Sequence, residues 1–248
     1  YTCLTHMVNH PDGISNGVGY KMVRLGEYKD LMLEYYNSDN FFSNLNYVRS
    51  MAYTNIMTNT WNNFIRNNIF TTQGNSIIAE DLLTAYKTLV DDNNAPIITN
   101  SEDYIINQIT PYRNEYKINV NCVILKSSFD LRTTDMLQIV EHNDLDNMAH
   151  YTELLTKLRS NAIRTGGKKG WYPYYKFKNQ VLCMQDLQIA GKKLPKEIDY
   201  GYTLTTHKLQ GSTFENVFID GFDICQPMTK YGRTMPNEIN LRNRLLYV

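Results

Sequence analysis

Long apolar runs, paired cysteines and an excess charge of either sign are all missing from this 248-residue chain. No stretch approaches the roughly 20 apolar residues that cross a bilayer, and the N-terminus lacks the charged-then-apolar pattern of a secretion signal. No membrane partner is therefore expected. The four cysteines, Cys3, Cys122, Cys183 and Cys225, lie far apart and form no Cys-x-x-Cys pair. Thiols scattered in this way suit a reduced, cytoplasmic protein better than a disulfide framework or a zinc site. Lysine plus arginine and aspartate plus glutamate both number 25, so no global field attracts nucleic acid and any such contact must be local. Also absent is Gly-x-x-x-x-Gly-Lys-[Ser/Thr]; Thr165-Gly166-Gly167-Lys168-Lys169 has neither the spacing nor the final hydroxyl. No paired acids close a strand in the manner that holds magnesium beside a nucleotide.

What is present is globular. A hydrophobic content of 42% against 20% charged residues excludes a disordered chain. Residues 27–36 place Tyr28, Leu31, Met32 and Tyr35 at helical spacing. Residues 47–54 read as a buried strand, and residues 58–69 put Trp61, Phe64, Ile65 and Ile69 on one helix face. That succession is one α/β unit. From about Asn75 the pattern changes to short strand-like runs at 82–89, 95–98, 104–109 and 116–125, divided by Asp91-Asp92-Asn93-Asn94 and Thr110-Pro111. Several strands at this spacing suggest a small β-barrel inserted into the α/β domain. Residues 145–163 look helical, Gly166-Gly167 breaks the pattern, and residues 171–181 form either a second helix or an extended aromatic piece.

Two regions carry chemistry. Residues 151–180 hold Lys157, Arg159, Arg164, Lys168, Lys169, Lys176 and Lys178 against Glu153 alone, interleaved with Trp171, Tyr172, Tyr174, Tyr175 and Phe177. Cations that hold phosphates beside rings that stack on bases are what single-strand binding uses. The competing reading is a solvated helix face whose aromatics pack inward. The second region is Thr205-Thr206-His207-Lys208-Leu209-Gln210-Gly211-Ser212-Thr213, between a β-rich segment and an apolar strand ending at Asp220. Polar residues delivered to a loop at a sheet edge stand where α/β proteins bind ligands. Backbone amides beside a glycine can approach phosphate oxygens closely. Taken singly, each of these residues could be an ordinary strand-end polar group.

The order Thr-x-His-Lys-x-Gln-Gly-Ser-Thr resembles motif V of superfamily 1 DNA helicases. Ala52-Tyr53-Thr54-Asn55, followed by Asn62 and Arg66, resembles motif IV of the Dda-type and RecD-like members. Ala79-Glu80-Asp81-Leu82-Leu83 with Tyr86-Lys87, then Asn100 to Tyr104, looks like the entry strands of the SH3-like barrel in Dda-type phage helicases. Residues 165–171 resemble the Gly-Gly-Lys-plus-Trp loop after their helical tower. Arg244-Leu245-Leu246-Tyr247-Val248 looks like the opening of motif VI. The likeness covers about residues 47–248. Ser212-Thr213 departs from it where other members carry an acid, as do the more highly charged residues 190–199.

The resemblance implies an α/β fold: a second RecA-like parallel-sheet domain built from residues 1–75 and 200–248. An SH3-like β-barrel with a helical tower (about 144–180) would occupy residues 76–199. It implies ATP and magnesium as cofactors, single-stranded DNA as partner, 5′ to 3′ translocation, and a bacterial or phage-infected host cytoplasm as location. Gln210, Gly211, Ser212, Thr213 and Arg66 would face ATP. Thr54, Asn55, Thr205, His207, Lys208, Lys168, Lys169 and Trp171 would face DNA. No catalytic residue and no metal ligand are expected within the chain itself. Those would belong to a first RecA-like domain upstream, and the motif VI arginine would fall four residues beyond Val248, so this half alone is not expected to hydrolyse ATP. The alternative is a non-catalytic single-strand-binding module derived from a helicase.

Overall fold

The computed structural model describes residues 10–16, 18–72, 74–91, 94–225, 229–230 and 233–234, with side chains described as far as Ile224. Two compact units divide the chain. Residues up to Thr71 join those from Tyr202 onward in the first, and Thr72–Gly201 form the second.

The first unit opens with α1 (Leu25–Tyr36) and the short α2 (Asp39–Ser43), whose Ser38 hydroxyl accepts from the Phe41 amide at 3.4 Å. The strand β1 (Val48–Ala52) follows and is buried along its whole length, as a strand covered on both faces must be. Thr54 then caps α3 (Asn55–Ile69), its Oγ1 accepting from the Met57 amide at 3.2 Å. That cap starts the helix three residues before the apolar pattern does. Buried positions Thr58, Trp61, Asn62, Ile65 and Arg66 recur at intervals of three and four, so two strongly polar side chains share the face turned inward.

The second unit contains β2 (Leu82–Ala85), β3 (Leu89–Val90), β4 (Pro96–Ile98), β5 (Asp103–Arg113), β6 (Asn119–Ser127) and β7 (Leu137–Val140). After them come α4 (Leu145–Thr165), α5 (Gly167–Gln180), β8 (Val181–Leu182), β9 (Leu187–Ile189), β10 (Lys192–Leu194) and β11 (Ile198–Tyr200). Six strands form one sheet in the order β11-β2-β5-β6-β7-β8, antiparallel except for the β7–β8 pair. Among the described residues no ladder joins the two edges, β11 and β8. The hairpins β3–β4 and β9–β10 stand apart from this sheet.

Asp144 caps α4 through the Asn147 amide at 3.0 Å, and residues 171–180 continue a helix, α5, rather than an extended piece. Gly166 and Gly167 reverse the chain between the two helices at φ +68° and +60°, conformations that only glycine adopts cheaply. Tyr151, Leu155 and Ala162 from α4 meet Tyr174 and Phe177 from α5 over Ile118, Val120 and Val140 of the sheet side, forming one core.

Back in the first unit, β12 (Thr203–Thr205), α6 (Thr206–Leu209), β13 (Asn216–Ile219) and α7 (Gly221–Cys225) complete the described core. Thr229–Lys230 and Arg233–Thr234 form a further antiparallel pair. The sheet order is β12-β1-β13, parallel throughout, with Ala52 beside Thr205 and Met51 beside Ile219. This unit is therefore mixed α/β about a parallel sheet. Because the three strands point the same way, the segments following β1, β12 and β13 emerge at one edge. Among the described residues no helix is long and apolar enough to cross a membrane.

Candidate functional site at the sheet edge

Two aspartates organise that edge. The Asp223 carboxylate, in the first turn of α7, accepts the Tyr53 and Thr54 amides at 2.7 Å each and the Thr54 hydroxyl at 2.9 Å. Asp220 accepts the Asp223 amide at 3.0 Å on one oxygen and the Trp61 indole N–H at 2.7 Å on the other. Both acids are buried, so these are hydrogen bonds that water does not contest. They fasten the exit of β1, the helix α3 and the start of α7 to one another. Thr54 uses its hydroxyl twice, donating to Asp223 and accepting from Met57, which makes it a structural joint in this conformation. Asn55 beside it is exposed on the first turn of α3.

The exit of β12 is held differently. Thr205 is the residue before α6, and the Thr206 hydroxyl reaches the Ala52 carbonyl at 3.4 Å. Leu209 is buried among Met51, Leu204 and Ile224, and Phe214 packs on the same cluster. Between these two anchors Gln210, Gly211, Ser212 and Thr213 form an exposed arc, closed by a bond from the Ser212 amide to the Leu209 carbonyl at 3.0 Å. The chain then returns to the start of β13, where the Glu215 amide donates to the Asn46 carbonyl at 2.9 Å. His207 is exposed and Lys208 half-buried.

Gly211 has φ +88°, and beyond its own chain neighbours no residue has an atom within 4 Å of the place a Cβ would occupy. Its backbone is therefore both unusual and approachable. Amides around such a glycine, with two hydroxyls next to it, fit phosphate oxygens. A divalent cation fits less well, for among the described residues no group of three His, Cys, Asp or Glu side chains is placed to hold one.

The remaining expected site residues lie elsewhere. Arg66 is 5% exposed, on the inward face of α3 in its last turn, at the other end of the helix from the Thr54 cap. One turn before it, Asn62 grips the backbone of β12 from both sides: its Nδ2 donates to the Thr203 carbonyl at 3.0 Å and its Oδ1 accepts the Thr203 amide at 2.6 Å. Lys168, Lys169 and Trp171 belong to the second unit. Both lysines are exposed, whereas Trp171 is half-buried against the core, with Tyr174 at 5.5 Å and Tyr175 at 5.7 Å between ring centres. Residues 244–248, read as the opening of motif VI, lie outside the described residues.

Motif order alone does not single out Asp223. The available signal is an acid three residues after a strand-ending Asp220, the spacing of one helical turn. The sequence also gave no hint of a cavity of about 180 Å³ in the second unit, lined by Asp91, Glu102, Tyr104, Ser127 and Arg132 among others. Its Glu102 carboxylate already accepts the Tyr104 hydroxyl at 2.8 Å and the Ser127 hydroxyl.

No protein-family model matches the chain. It is similar to an uncharacterized protein, R530, of Acanthamoeba polyphaga mimivirus, with 27% identity over 157 residues. The match takes in 61% of this chain but 28% of the mimivirus protein, so the chain spans less than a third of its relative.

Proposed function

We propose that the chain is the C-terminal motor half of an ATP-dependent DNA helicase of superfamily 1B, moving 5′ to 3′ along single-stranded DNA in the cytoplasm. In this reading the first unit is the second RecA-like domain. The second unit is an SH3-like insert with α4 and α5 as its tower. One observation carries the proposal: the exposed arc from Gln210 to Thr213 leaves the same parallel-sheet edge at which Thr54, Asn55 and Thr205 emerge. The order of the motifs along the chain supports it independently of geometry.

Amides around Gly211 and the hydroxyls of Ser212 and Thr213 would hold phosphate oxygens of ATP, with Gln210 beside them. The nucleotide supplies the free energy for movement, and its magnesium ligands belong to a first RecA-like domain. His207, Thr205, Lys208 and Asn55 would meet the DNA backbone. Thr54 contributes by holding the edge in shape.

The test uses the protein encoded by the full reading frame. A Gly-x-x-x-x-Gly-Lys-[Ser/Thr] segment upstream, Thr-Arg just beyond Val248 and ATPase activity stimulated by single-stranded DNA are expected. His207→Ala should reduce the DNA-stimulated rate ten- to a hundredfold, the scale of about 1.5–3 kcal/mol for one hydrogen bond to a charged group, and spare the DNA-free rate. Gly211→Ala should lower both rates. Equal loss in both conditions for His207→Ala, in a folded protein, contradicts the DNA-side assignment. A frame without these segments and without ATPase activity leaves the second reading, a non-catalytic single-strand-binding module. The exposed basic and aromatic face of α5 favours that reading, since it needs no nucleotide.

A further inference from the structure

Along α5, successive residues turn by about 100°, which places Lys168, Tyr172, Tyr175 and Asn179 in one row with Lys169 and Lys176 about a quarter turn to one side of it. All six are exposed. The opposite side carries Tyr174, Phe177 and Lys178, all buried. Helical folding has thus sorted a run of mixed aromatics and cations into a core face and an outer stripe.

The cations of the region also divide. Lys178 is consumed by an ion pair with Glu197 at 2.7 Å, and Arg159 donates to the Ile189 carbonyl at 2.9 Å. Among the described residues Lys168, Lys169 and Lys176 form no ion pair. No aspartate or glutamate occurs anywhere from residue 154 to residue 185, so nothing within that stretch neutralises them. Tyr172 and Tyr175 are 67% and 56% exposed. Burial cannot account for two rings left in water on a helix whose apolar face is already packed.

We propose that this outer stripe is a stacking platform for single-stranded nucleic acid, with Tyr172 and Tyr175 meeting bases and Lys168, Lys169 and Lys176 holding phosphates. Trp171 is then a positioning residue. Half-buried against the core and tilted by 32° beneath Tyr175, it fixes that ring and leaves the base contact to the tyrosines. The chemistry favours a strand over a lipid surface, because an interfacial helix needs an exposed aliphatic or Trp-rich face and this stripe has none. An acidic protein would use the lysines but gives the two rings no task. A single strand uses both. The inference deepens the DNA-binding part of the function proposed above and rests on it for the identity of the ligand class, but requires neither ATP nor a motor.

The experiment is fluorescence anisotropy of the chain with a labelled oligothymidylate, without nucleotide, over a range of salt. Tyr172→Ala and Tyr175→Ala should each weaken binding about tenfold with the salt slope unchanged, since stacking is lost and charge is not. Replacing all three lysines by glutamine should flatten the logarithmic salt slope by about 2, from roughly 0.7 per phosphate contact on single strands. In the unsubstituted protein, photocrosslinking to an iodouracil-containing strand should place adducts on Tyr172 or Tyr175. This keeps the proposal testable if a variant folds poorly. Unchanged affinity in both tyrosine variants, adducts confined to other segments, or binding to phosphatidylserine vesicles without binding to the oligonucleotide would each overturn it. An absent DNA-stimulated ATPase combined with tyrosine-dependent binding would remove the motor reading alone.

Discussion

Replacing Asp223 with alanine removes the acceptor of three donors at once, and the consequence can be worked out from their geometry. The carboxylate takes the Tyr53 and Thr54 amides at 2.7 Å and the Thr54 hydroxyl at 2.9 Å, and the residue is 3% exposed. Hydrogen bonds to a charged group contribute about 1.5–3 kcal/mol each, and a buried donor left unpaired costs about 1–3 kcal/mol. The hydroxyl can rotate toward another acceptor. The two amides cannot, because β1 and the start of α3 fix them. Two such amides at about 1.5–2 kcal/mol give a loss of roughly 3–4 kcal/mol, a large share of the roughly 5–15 kcal/mol that holds a domain together. Both amides meet the same carboxylate oxygen, so Asp223→Asn can keep both with its amide oxygen in that place and should lose much less.

The two tryptophans make the measurement local to one unit. Trp61 lies in the first, hydrogen-bonded to Asp220, and Trp171 lies in the second. In a Trp171→Phe background, urea unfolding followed by Trp61 fluorescence reports the first unit. A loss below about 1 kcal/mol for Asp223→Ala, at an unchanged denaturant slope, would refute the reasoning. It would mean that the exit of β1 finds other partners and that Asp223 does not secure this edge.

In the second unit Glu197 is nearly buried and shared by Lys178 at 2.7 Å and Lys87 at 2.8 Å, so Glu197→Gln strands two cations and should cost about 3 kcal/mol or more near neutral pH. Burial holds the Lys87 ammonium below its ordinary value of 10.5 while Glu197 pulls it back up, so in the variant the unfolded chain binds more protons than the folded one and the deficit should shrink as pH rises toward 10.5. Urea midpoints across that range, read by Trp171 in a Trp61→Phe background, test the sign; a deficit independent of pH contradicts it. Burial also pushes the Cys183 thiol up to about 11, and the residue is 1% exposed. Peptide mapping after maleimide treatment at mildly alkaline pH should therefore find Cys183 unmodified in the folded protein and modified in urea; rapid labelling of folded protein would show that α5 and β8 open locally.

Helices were the most legible part of this fold. The three-and-four spacing from Thr58 to Ile69 marks α3, and the one feature it missed, the earlier start, comes from Thr54 acting as a cap. Gly166-Gly167 announced the reversal between α4 and α5, since two glycines in succession permit the positive φ that a tight turn needs. The aromatic run after that turn was ambiguous between helix and extended chain. Packing of Tyr174 and Phe177 against Tyr151 and Leu155 decides for the helix. The same packing sorts the outer tyrosines from the buried ones and moves Trp171 inward.

By itself the sequence determined local conformation and the polar character of the arc, because both depend on residues close together in the chain: caps, glycines, spacing. Only the tertiary structure decided which distant residues hold that arc in place. β1 lies between β12 and β13 although 150 residues or more separate it from either. Asn62 grips Thr203, Asp223 gathers Tyr53 and Thr54, and Glu197 collects Lys87 and Lys178. Periodicity states which face of an element turns inward, but not what it meets there. A buried polar group takes whichever partner the completed fold brings within hydrogen-bonding distance, and that choice is made only when the elements come together.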